Sequence, residues 1–89
     1  MSKKVILAKY QVYYSTKQLP DVLLQYTFRD QNILILKDGL AEINGFKCFR
    51  FVMQVFRKNN IADRQRIIEI EGILKSLIES HSIEYFIRG

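Results

Sequence analysis

Residues 46–57 read FKCFRFVMQVFR, and their sustained two-residue period predicts a β-strand. Phe49, Phe51, Met53 and Val55 fall on one face, and Phe46, Cys48, Arg50, Val52, Gln54 and Phe56 fall on the other. The first face is apolar throughout and is expected to be core. The second mixes apolar, cationic and amide groups, as the open face of a sheet covered on one side does.

Beyond this strand, Ile67, Ile70, Leu74, Leu77, Ile78 and His81 follow three-and-four spacing. Ile68 and Ile73 widen the stripe, and Glu69, Glu71, Lys75 and Glu79 lie near the opposite side. This predicts a long helix with Asn59-Asn60 as N-cap, Asp63 as the capping-box acid and Ser82 as its end. Gly72 inside it costs about 1 kcal/mol relative to alanine. A close backbone contact is the expected reason, against the chain's own sheet or at a dimer interface. Ile83, Tyr85 and Ile87 then alternate with Glu84, Phe86 and Arg88 in a final strand.

Before residues 46–57, Asn44-Gly45 marks a turn, and Asn32 to Lys37 reads as a short strand closed by a second turn pair, Asp38-Gly39. Lys3 to Ser15 alternates with Ile6, Ala8, Tyr10, Val12 and Tyr14 on its more apolar parity, which makes a long first strand. Residues 21–30 allow two readings. Pro20-Asp21 suits a helix start, and Leu19, Val22, Leu23 and Tyr26 have helical spacing; Tyr26, Thr27 and Phe28 favour a strand. With a helix there, the order is that of an α+β, ferredoxin-like βαββαβ sandwich, a four-stranded antiparallel sheet with helices on one face. With a strand, a five-stranded antiparallel sheet packs on one long C-terminal helix.

The chain has 89 residues without repeat or linker composition, so residues 1–89 are expected to form a single domain. Hydrophobic residues at 48% with only four glycines and one proline exclude a disordered or collagen-like chain. Cys48 and His81 are the only cysteine and histidine, so neither an internal disulfide nor a multi-cysteine metal site can form. No apolar run is long enough to span a bilayer, and Met1 to Ala8 is too short for a signal peptide, so a cytoplasmic protein with no membrane association is expected.

The net charge of +5 is unevenly spread: residues 1–46 carry +2, residues 47–66 carry +5 and residues 67–89 carry −2. Lys47, Arg50, Arg57, Lys58, Arg64 and Arg66 face a single acid, Asp63, within twenty residues. Arginine-rich clusters suit phosphates because the guanidinium donates two parallel hydrogen bonds.

Catalytic constellations are missing. Cys48 lies mid-strand, as an apolar filler does, and His81 continues the helix stripe, so they make no nucleophile and base. The carboxylates do not converge in pairs, and the isolated glycines build no phosphate loop. Lys47, Phe49, Phe51 and Val52 partly fit the third-strand pattern of RNA-recognition domains, but Cys48, Arg50 and Gln54 depart from it. Turning Phe49 and Phe51 outward to stack bases would also drive Arg50 into the core.

The expected function is therefore non-enzymatic. A small binding or regulatory protein without cofactor would engage nucleic acid through the six cations and an open sheet face. That face would show Lys9, Gln11, Tyr13, Arg50, Gln54, Phe56, Phe86 and Arg88, with Tyr13, Gln54, Phe56, Phe86 and Arg88 stacking or contacting the partner. The alternative is a protein-interaction or inhibitor module using the sheet face or a strand edge, with a homodimer expected in either case.

Overall fold

The computed structural model describes residues 4–15, 28–29 and 32–89. Among them the fold is α+β, a four-stranded antiparallel sheet with one helix. Strands β1 (Ile6–Tyr14), β2 (Ile33–Ile43) and β3 (Phe46–Phe56) precede helix α1 (Asp63–Glu79) and strand β4 (Tyr85–Arg88), and the sheet order is β2-β3-β1-β4. The readings of residues 21–27 and 30 as helix or strand lie outside the described residues. Phe28 packs into the core at 5% exposure.

The alternating patterns place the core as their periods require. Ala8, Tyr10, Val12 and Tyr14 of β1 and Phe51, Met53 and Val55 of β3 are buried against Ile70, Leu74 and Leu77 of α1. Tyr14 stacks on Phe49 at 5.5 Å between ring centres. Tyr10 meets Phe86 edge-on at 5.9 Å and donates its hydroxyl to Glu71 Oε2 at 2.8 Å. Glu71 Oε2 also lies 3.5 Å from Arg88 Nη1, so one carboxylate ties β1, α1 and β4 together. Burial, followed by the bond to Glu71, pushes the Tyr10 hydroxyl pKa well above its ordinary value.

Asn44 and Gly45 have φ of 50° and 84° and join Ile43 to its register partner Phe46, the two-residue hairpin turn whose twist matches the flanking strands. Asp38-Gly39 does not turn the chain. Strand β2 runs through it as a β-bulge, with the register shifting between Lys37 and Gly39 and Gly39 at φ 83°. A turn signal and a bulge signal are the same signal here, because both need a residue that tolerates positive φ.

The helix boundaries also differ from expectation. Ala62 is the N-cap and makes no side-chain cap bond; Asp63 is the first helical residue and pairs with Arg57 instead of capping. The helix closes at Ser80. His81 stands outside it at φ 60°, donating its amide to Ile78, while the Ser82 amide reaches Leu77. These two bonds form a Schellman cap, so His81 is an exposed capping residue rather than part of the apolar stripe. Among the described residues Gly72 has no close neighbour either: a β-carbon there would meet none of them within 4 Å.

Candidate functional site

Because β1 and β3 lie side by side at the centre, the strand register builds transverse rows on the sheet face opposite α1. One row reads Leu36, Val52, Gln11 and Ile87 across β2, β3, β1 and β4. Next to it on one side are Leu34, Gln54 and Lys9. On the other side are Arg50, Tyr13 and Tyr85, with the Asp38 bulge beside Arg50. No described element covers these rows, and Leu34, Leu36 and Ile87 are 44%, 48% and 45% exposed.

The Tyr13 row is locked. Tyr13 stacks on Tyr85 with ring centres 4.7 Å apart and donates its hydroxyl to Gln11 Oε1 at 2.9 Å. Arg50 bonds the Tyr13 hydroxyl and the Asp38 carboxylate, and both hold its guanidinium more firmly protonated than usual. Tyr13 is consequently only 8% exposed and offers no ring face to a base. Of the other expected contact residues, Gln54 is half-buried in the neighbouring row, and Phe56 carries the Lys4 ammonium 5.3 Å above its ring.

Phe86 and Arg88 are on the wrong side for the expected face. Their register partners are Val12 and Tyr10, so both point toward α1, where Phe86 packs on the core and Arg88 approaches Glu71. Tyr85 and Ile87 take the open positions instead. In a strand this short and this apolar, only the pairing with β1 decides the parity.

The six-cation cluster is likewise taken apart. Lys47 sits beside the hairpin turn and Arg57 just past the other end of β3, roughly 33 Å away at about 3.3 Å per residue. Arg57 binds Asp63 through two hydrogen bonds, at 3.1 and 2.9 Å. Arg66 is 1% exposed, and its guanidinium donates to the carbonyls of Phe56 at 3.1 Å and Asn32 at 3.3 Å. It is therefore an interior tie between α1 and the sheet end, with no surface left for a phosphate. What remains together is a basic end formed by Lys4, Arg57, Lys58 and Arg64.

At the hairpin end of the open face, a cleft of about 470 Å³ runs between Ser15, Glu84 and Tyr85 on one side and Ile43, Phe46 and Cys48 on the other. Ser15 donates to Glu84 at 2.8 Å across its wall. Phe46 is 77% exposed at the rim, whereas Cys48 is 5% exposed at the floor. His81 is not among the lining residues. Among the described residues no three His, Cys, Asp or Glu side chains gather as metal ligands, and no helix is long and apolar enough to cross a membrane. No protein-family model, characterised protein or solved structure matches the chain.

Proposed function

We propose that this chain is a non-enzymatic binding protein that docks a protein surface on the open face of its sheet. The observation that carries this reading is the apolar patch Leu34, Leu36 and Val52, with Ile87 beyond Gln11 on the same row, which no described element covers. Contiguous apolar strips of this kind on soluble proteins mark interaction sites. Charge points the same way. Among the described residues, Lys9, Arg50 and Asp38 are the charged groups on these rows, and Arg50 and Asp38 neutralise each other, so of these groups only Lys9 would meet a polyanion uncompensated. The strand order and antiparallel directions also support a ferredoxin-like sandwich as the scaffold, with Phe28 in the core.

A second reading, nucleic-acid binding, rests on the basic end, where Lys4, Lys58 and Arg64 accompany the Arg57–Asp63 pair. Affinity capture separates the two, with wild type, Leu36→Lys and Arg64→Glu as baits. Docking on the sheet face predicts a protein partner lost with Leu36→Lys and kept with Arg64→Glu at raised salt. Nucleic-acid binding predicts the reverse, with anisotropy of labelled DNA or RNA collapsing between about 50 and 200 mM salt.

A further inference from the structure

We propose that the occupant of the open face is a second copy of this chain, packed face to face about a two-fold axis that runs across the strands. This rests on the docking reading above and names its partner. The size of the face is sufficient. Strands of 9, 11, 11 and 4 residues, at about 4.8 Å spacing and about 3.3 Å per residue, give roughly 550 Å² per copy, so a pair buries on the order of 1,100 Å², at the threshold for a specific interface. Two sheets packed this way also reproduce the ordinary sandwich arrangement, with inner faces about 10 Å apart.

Charge selects the axis. Among the described residues, one end of the molecule holds Lys4, Arg57 and Arg64 against Asp63; the other holds Glu42 and Glu84 against Lys47. An axis along the strands would set basic end on basic end, in a chain that already carries +5. An axis across the strands sets each basic end against the partner's acidic hairpin end. It also superposes the central row on its own copy, Leu36 on Leu36 and Ile87 on Ile87, which is the self-complementarity a two-fold interface requires. The same operation brings the exposed Ile6 and the Phe56 ring, opposite one another in the register, over the partner's cleft and its exposed Phe46.

Sedimentation of the purified chain over a wide concentration range tests the pairing. The wild type is expected to be a dimer whose dissociation constant rises at least tenfold in Leu36→Lys and in Ile87→Lys, each checked for folding by circular dichroism. A wild type that stays monomeric at several hundred micromolar overturns the inference, and capture by the wild-type but not the Leu36→Lys bait then still decides the docking reading. A dimer untouched by both variants overturns the inference and the face together. Spin labels on Lys47→Cys in a Cys48→Ala background report the axis. Labels at opposite ends lie more than about 30 Å apart, whereas an axis along the strands brings them within about 20 Å and would refute the charge argument.

Discussion

Arg66 of the helix donates from Nε to the carbonyl of Phe56 at 3.1 Å, at the end of the strand that precedes it. A buried guanidinium is tolerable only when its donors are used, and here backbone carbonyls, one of them Asn32, take them. Replacing Arg66 by alanine removes both the bonds and the packed stem. The expected loss is about 3 kcal/mol, read as a lower urea midpoint, and lysine, lacking the planar fork, should recover only part of it.

Gly72 is the reverse case. A β-carbon there meets none of the described residues within 4 Å, so Gly72→Ala should gain about 0.5–1 kcal/mol from helix propensity and a restricted unfolded chain. For a domain of this size that raises Tm by roughly 3–6 °C in a calorimetric scan. A decrease would show that this helix surface is in contact with something in solution.

His81 occupies the left-handed position of the Schellman cap at φ 60°. Glycine adopts that conformation without penalty, so His81→Gly is expected to stabilise by about 0.5–1 kcal/mol in thermal unfolding.

Tyr10 sets an alkaline limit. Its pKa is raised in the folded chain by burial and by the bond to Glu71, so the native state keeps the proton while the unfolded chain releases it near pH 10. Its stabilising contribution is complete below about pH 10 and is lost as pH climbs through the higher folded-state value. Unfolding curves between pH 9 and 11.5 should show this decline, and Tyr10→Phe should flatten it at a cost of about 1 kcal/mol at neutral pH.

Cys48 lies under the cleft at 5% exposure. A thiol reagent should therefore label it far more slowly in the native protein than in urea, where the thiolate is open to attack. Fast native labelling would contradict the closed floor of the cleft.

Local periodicity made the central strands and the helix legible, because β1, β3 and α1 each repeat an apolar residue often enough to mark one side. It did so less well where pairing is the deciding force. In β4, Tyr85, Phe86 and Ile87 are all acceptable core residues, and only the register with Tyr13 and Gln11 turns Tyr85 and Ile87 outward. Arg66 carried a readable signal, four residues before Ile70 on the helix stripe, but charge argued for the surface and its carbonyl partners come from distant parts of the chain. The cation cluster dissolved for a related reason. Closeness in sequence along an extended strand is distance in space, so Lys47 and Arg57 ended at opposite ends of the sheet.

The Asn44-Gly45 turn also orders events in time. Strands β2 and β3 are joined by a two-residue loop, whereas β1 must find β3 across the 31 residues between Tyr14 and Phe46. Loop-closure entropy is small for the hairpin and large for the central pairing, so the hairpin can form and dissolve on a timescale of about 1–10 μs while the rest of the chain is still searching. The slow step of folding is then the capture of β1 by a hairpin already in place, which puts the transition state at the Tyr10–Met53 and Val12–Phe51 pairs rather than at the turn.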